Sequence, residues 1–183
     1  MSFLHRLNSL YAQKIYESNV AAGWWDDPNQ CFYTKLQLIS TEISEATEGE
    51  RKNLMDEHLP HRKMGEVELA DALIRTLDLG GRYDWEYCEL IGASSYLYST
   101  EISNISAQHL VLNLCLIHLV EAIYGNVEVA IPHCYSKLIT SIIHVANSQG
   151  YDIEQAMIEK LEYNKTRIDH SREHRESEHG KKF

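Results

Sequence analysis

Prolines occur at only three places in this chain, Pro28, Pro60 and Pro132, and they lie far apart. Nine glycines are the only other strong breakers in 183 residues. So little punctuation does not suit many short strands joined by turns, and it leaves long helices as the natural building block. Apolar residues recur at helical spacing in the stretches between the breaks. Phe3, Leu4, Leu7, Leu10, Tyr11 and Ile15 predict a first helix over 3–20, ended by Gly23, Asp26, Asp27 and Pro28. The same pattern predicts helices over 32–51, 64–79, 84–98, 106–124, 133–148 and 152–167, the one over 64–79 stopped by Gly80 and Gly81. The expected fold class is therefore all-α, a helical bundle.

At this length a single domain over 1–169 can bury a sizeable core. Hydrophobic residues make up 44% and charged residues 24%, the balance of an ordinary globular chain. The stretch 170–183 has little but charge, including Arg172, Glu173, Arg175 and Glu176, and reads as a tail. Seventeen Lys and Arg stand against 27 Asp and Glu, a net charge of −10. A nucleic-acid polymer is thereby an unsuitable partner, because its phosphates need a dense basic surface. A phosphate ligand bridged by metal ions is not excluded. The four cysteines, Cys31, Cys88, Cys115 and Cys134, form no CxxC pair and follow no secretory leader, so reduced thiols and a cytoplasmic location are expected. No membrane span is expected either: the nearest apolar run, 110–120, is interrupted by Asn113 and His118.

Two helices carry the chemistry. In KLQLISTEISEATEGERK, Glu42 and Glu45 are three residues apart and share an arc with Lys35 and Leu38, while Leu36, Ile39, Ile43 and Ala46 take another side. In EVELADALIRTLDLGG, Glu68 and Asp71 repeat the spacing. There Met64, Glu68, Asp71, Arg75 and Asp78 fall within about 80° of one another, beside the apolar Val67, Ala70, Ile74 and Leu77. Packed antiparallel, the two helices would bring four carboxylates together, an arrangement that repels itself unless a cation sits between them. Oxygen-only ligands favour a hard divalent ion, Mg²⁺ first and Mn²⁺ next. Glu48, Glu50 and Glu66 read as solvent-facing, and Arg75 as an ion-pair partner of Asp71 and Asp78.

At these residues the sequence resembles the MazG-like all-α nucleoside triphosphate pyrophosphohydrolases, and its phage-type members most. Their signature, ExxE on one helix and ExxD on the next, stands here as Glu42xxGlu45 and Glu68xxAsp71. The resemblance extends to Gly23-Trp24-Trp25, to 56–64, to 74–78, and to Lys160, Tyr163, Asn164 and Arg167 in KLEYNKTR. It implies Mg²⁺-dependent cleavage of nucleoside triphosphates to monophosphate and pyrophosphate, on a helical bundle paired as a homodimer. Glu42, Glu45, Glu68 and Asp71 become the metal ligands, with Glu45 as the base that takes a proton from water. Lys160 and Arg167 would clamp outer phosphates, and Asn164 would meet a base edge or sugar hydroxyl. Trp24 and Trp25 are candidates to stack on the base, with core packing as the other reading. Lys35 and Tyr163 complete the candidate substrate contacts. His58 and His61 lie in the connection before the ExxD helix and are candidates to touch substrate, while His118 reads as interior and the remaining histidines as exposed.

An internal repeat is also legible. The stretch 112–122 can be laid on 36–46 and 138–150 on 69–81, and both stretches of the second pair are followed by Tyr-Asp, at Tyr83-Asp84 and Tyr151-Asp152. The overlay turns Glu42 into His118, Glu68 into Lys137 and Asp71 into Thr140, and keeps only Glu121 as a carboxylate. The chain would then be two hairpins of common origin, 32–98 and 106–167, with one metal site retained. Two other classes stay open from the residues. One is a carboxylate-bridged di-iron or di-manganese bundle using Glu121 and His118 as further ligands. The other is a helical adaptor whose carboxylates make surface salt bridges.

Overall fold

The chain is an all-α helical bundle. The computed structural model describes residues 3–88 and 104–168, together with positions 172 and 174. The first helix is split into α1 (Phe3–Arg6), a π-helical segment (Leu7–Ala12) and α2 (Gln13–Ala21). Then come α3 (Phe32–Lys52), α4 (Met64–Tyr83), α5 (Ile105–Tyr124), α6 (Ile131–Ser148) after a 3-10 turn (Glu128–Ala130), and α7 (Ile153–Thr166). No strand occurs among the described residues, and the nearest thing to one is an isolated bridge between Met55 and Lys63.

α4 is the axis of the bundle. It packs against α2, α3, α6 and α7, and most of its side chains are buried. After the link at 53–63 it returns antiparallel along α3, with Gly49 against Met64 and Gly65 at one end and Glu42 against Arg75 further along. The shared core is built from Leu36, Ile39 and Ile43 of α3, Leu69, Leu73 and Leu77 of α4, Leu112 and Leu119 of α5, and Leu138, Ile139 and Ile142 of α6. α5 and α6 form a second antiparallel pair, α5 lying on α3 and α6 on α4. The two pairs bury matching registers: Leu36, Ile39, Ile43 and Ala46 correspond to Leu112, Cys115, Leu119 and Ala122.

Helix ends follow local chemistry. Asn104 accepts the Ala107 N–H at 3.1 Å, and Asp152 accepts that of Gln155 at 3.1 Å. Asn53 and Asp84 close α3 and α4 in the left-handed region, with φ of 53° and 57°.

Several expectations need correction. Gly80 and Gly81 do not stop α4 but lie inside it. A Cβ on Gly80 would fall 2.1 Å from the Tyr135 hydroxyl, and one on Gly81 2.4 Å from the Ala12 carbonyl oxygen, so the glycines make room for neighbours. No helix occupies 84–88, because Asp84 ends α4 and the chain runs on irregularly; the rest of the expected 84–98 helix lies outside the described residues. Glu66 is buried, held by Arg62 at 2.7 Å and the Asp152 N–H at 2.9 Å. Glu50 is half-buried and accepts the Tyr151 hydroxyl. His118 is only half-buried, and the interior histidine is His109, 1% exposed, with Nδ1 2.8 Å from Thr47 Oγ1. α5 is long and apolar enough, by length and composition alone, to cross a membrane, although 33% of its apolar window is buried in the bundle. Of the charged tail only positions 172 and 174 are described, and Arg172 Nη1 pairs with Asp26 at 3.0 Å.

A candidate metal centre between α3, α4 and α7

The α3–α4 hairpin opens along one side into a cleft of about 1040 Å³, with α7 forming one of its walls. Glu42, Glu68 and Asp71 meet there, each offering a carboxylate oxygen within 4.8 Å of the others. Helical spacing puts Glu68 and Asp71 on one face of α4, and the antiparallel return of α3 brings Glu42 opposite them. Glu42 and Glu68 are buried, at 6% and 8% exposure. Two cations border the group: Arg75 Nε donates to Glu42 at 2.5 Å, and Lys160 Nζ reaches Asp71 at 2.9 Å. The expected pairing of Arg75 with Asp71 and Asp78 is thus replaced by one across the hairpin.

The site's electrostatics are those of crowded acids. Burial, then the charges of Asp71 and Glu42, push Glu68 up to about 9. Burial also raises Asp71, against the pull of Lys160. Desolvation opposes the Lys160 ammonium, but Asp71 and Glu68 outweigh it, so its pKa is raised. Glu45 stands apart. It is exposed, it lines the same cleft, and it lies outside the three-carboxylate group. Partial desolvation and then the Glu42 charge raise its pKa. Three of the four expected ligands therefore converge, and the fourth sits at the rim. The three are oxygen donors without sulfur or nitrogen, a set that suits a hard divalent ion.

The two tryptophans part company. Trp24 lines the cleft. Trp25 packs edge-on against Tyr16 and Tyr83, and its indole N–H donates to Asp78 at 3.2 Å, so it serves packing. Lys35 is buried and donates to the Trp24 carbonyl at 3.1 Å, with its ammonium 4.8 Å from the centre of the Trp25 ring. Lys35 thus fixes the loop that carries Trp24. Asp78, buried and raised to about 6 by desolvation, anchors the same loop from α4. Nothing short of the fold links Asp78 to Trp25, 53 residues away.

At the α7 side, Asn164 and Arg167 line the cleft, and Asn164 Oδ1 is buried with no hydrogen-bond partner. Tyr163 is not on the cleft wall. It stacks on His58 with ring centres 4.7 Å apart, and the Arg167 guanidinium lies 5.7 Å from its ring. His58 does line the cleft, held by a turn in which Asp56 Oδ1 accepts the N–H groups of His58 and Leu59 at 2.9 and 2.7 Å. His61 points elsewhere, to Glu159 at 2.8 Å. Asn19, which the sequence did not single out, also lines the cleft, as does Asp56, which the sequence placed in the resemblance without a role. The Asp56-x-His58 spacing of an Asx turn was the signal available for Asp56. No protein-family model, curated protein or solved structure matches this chain.

Proposed function

We propose that the chain is a Mg²⁺-dependent nucleoside triphosphate pyrophosphohydrolase, cleaving the α–β anhydride to give a monophosphate and pyrophosphate. The observation that carries this reading is the convergence of Glu42, Glu68 and Asp71 within 4.8 Å in a roomy cleft. Like charges buried together are costly, and a divalent cation is the simplest group that offsets them. Glu42, Glu68 and Asp71 would hold it, with Mn²⁺ as the other candidate. When bound, such an ion draws in phosphate oxygens, offsets charge developing on them and acidifies water.

The remaining roles belong to side chains. Glu45, exposed at the rim with a raised pKa, takes the proton from the attacking water. Lys160 and Arg167 face the outer phosphates, Lys160 by exchanging part of its contact with Asp71. Trp24 offers the base an aromatic face, and Asn164 Oδ1 offers an acceptor to a base or sugar donor. The ligand set disfavours a di-iron reading, since the grouped side chains include no histidine. Burial of Glu42 and Glu68 disfavours an adaptor, whose salt bridges would lie in water.

The test is pyrophosphate release from a panel of ribo- and deoxynucleoside triphosphates, with and without Mg²⁺. Activity should require the ion and fall on the order of a hundredfold or more in Glu42→Gln and Asp71→Asn, the scale of several kcal/mol of lost charge stabilisation. Full activity in both variants rejects the assignment.

A further inference from the structure

Arg75 holds Glu42 unevenly. Its Nε–H donates to Glu42 Oε1 at 2.5 Å, and neither Nη group has an acceptor among the described residues. The pair also spans two environments, because the Arg75 side chain is 40% exposed and that of Glu42 8%. A half-exposed ion pair is weak, since water competes for its ends, so the guanidinium can leave Glu42 at little cost. Glu42, being buried, cannot be left without a cation. Lys160 differs: it reaches Asp71 at 2.9 Å from a side chain only 5% exposed, and burial fixes it there. Along α4, Asp71, Arg75 and Asp78 follow at steps of four and three and so share one face. Asp71 belongs to the carboxylate group, while Asp78 accepts the Trp25 indole N–H and anchors the loop that carries Trp24. Arg75 therefore stands on the cleft wall between the carboxylates and the Trp24 end. Burial raises the pKa values of Glu45, Asp71 and Asp78, and the Arg75 charge pulls down on all three, so its field covers that stretch of the cleft.

Given a divalent ion held by Glu42, Glu68 and Asp71, as proposed above, we infer that Arg75 is an exchangeable counterion: it neutralises Glu42 while no such ion is bound, gives that carboxylate up to the ion, and then donates to the phosphate chain of the nucleotide. Charge balance favours the exchange. Arg75 and Lys160 bring two positive charges to three carboxylates. With a divalent ion added, the group carries a surplus of positive charge, and the less buried cation is the one repelled. The released guanidinium stays in the cleft, because its Cα is fixed on the face of α4 that carries Asp71. There its planar fork matches two phosphate oxygens at once, which a lysine ammonium cannot do. Arg75 thereby couples the two ligands of the site, and one residue opposes the ion and assists the anion.

Isothermal titration calorimetry of the full chain, stripped by chelator, tests this with two probes: Mg²⁺ alone, then inorganic tripolyphosphate in excess Mg²⁺. Arg75→Gln should bind Mg²⁺ roughly threefold to tenfold tighter than wild type, because a competitor for Glu42 is gone, and tripolyphosphate at least about tenfold weaker, the scale of a lost charge-assisted hydrogen bond. Opposite signs are the signature. A strut that merely orients Glu42 would lower both affinities when removed. Arg75→Lys keeps the charge beside Glu42 but not the fork, so its Mg²⁺ affinity should stay near that of wild type while tripolyphosphate still binds more weakly. A Mg²⁺ affinity unchanged or lower in Arg75→Gln overturns the exchange. Tripolyphosphate binding equal to wild type in both variants overturns the phosphate role. Wild-type protein that binds Mg²⁺ but no tripolyphosphate overturns the role of Arg75 and leaves the metal centre standing, whereas wild-type protein that binds no Mg²⁺ removes the metal centre and the role of Arg75 with it.

Discussion

Glu68 has the least support of the three clustered acids. Arg75 serves Glu42, Lys160 serves Asp71, and Glu68 is left sharing a hydrogen bond with Glu42. Burial first, then the charges of Asp71 and Glu42, hold the Glu68 proton up to about 9 when its ordinary value is 4.5, and the shared hydrogen bond, which needs a proton between the two carboxylates, adds to them. The consequence for stability has a definite sign. The folded chain binds this proton more tightly than the unfolded one, so the penalty is absent below about 4.5, grows as pH rises and levels off above about 9. Gln reproduces the protonated side chain without the penalty. In chelator-treated protein, Glu68→Gln should be more stable than wild type by roughly 1–3 kcal/mol at pH 8 and equal to it near pH 4.5. Urea denaturation at the two pH values measures the difference. A variant less stable than wild type at pH 8 would mean that Glu68 is satisfied by something other than a shared proton.

At the scale of the helix, Gly80 and Gly81 are where local reading and tertiary packing diverge. A glycine pair after a periodic run signals a helix end when only neighbouring residues are considered. Here the missing side chains admit Tyr135 from α6 and the Ala12 carbonyl from the π-helical segment. Gly80→Ala should therefore destabilise the fold by about 1–3 kcal/mol, the scale of overpacking, despite alanine's better helix propensity. Tyr135→Phe in that background removes the nearest clashing atom and should recover part of the loss; thermal melts of the four members of the cycle show whether it does. If Gly80→Ala raises the melting temperature, the close contact is not rigid. The elements themselves were legible, because a 3.6-residue period survives whatever packs on it, and the bounds of α3 differ from the expected ones only at Lys52. The three converging carboxylates were legible for the same reason: spacing fixes which side chains share a face. What periodicity could not supply was the partner across the bundle. Glu66 was read as exposed because Arg62 and the Asp152 N–H close over it only in the fold, and Trp25 became a packing residue only when Asp78 came within 3.2 Å.

For the molecule as a whole, the cleft concentrates an electrostatic problem that the rest of the bundle does not share. The net charge of −10 is spread over a surface that salt can screen. The three carboxylates between α3 and α4 are not spread, and the burial of Glu42 and Glu68 keeps salt from most of the group. A monovalent salt should therefore raise stability modestly and without site dependence, whereas a divalent ion seated among Glu42, Glu68 and Asp71 adds its binding free energy to folding. At a hundred times its dissociation constant that contribution is about 2.7 kcal/mol. For a chain of this size it corresponds to a melting temperature higher by roughly 5–10 °C. The comparison that isolates it is Mg²⁺ against KCl at equal ionic strength, in protein first stripped by chelator, followed by differential scanning fluorimetry. Mg²⁺ should exceed KCl in wild type and lose its excess in Asp71→Asn, while the KCl effect stays the same in both. Equal shifts from the two salts would place the stabilisation on the general surface charge and remove the reason to regard the α3–α4 cleft as a metal centre.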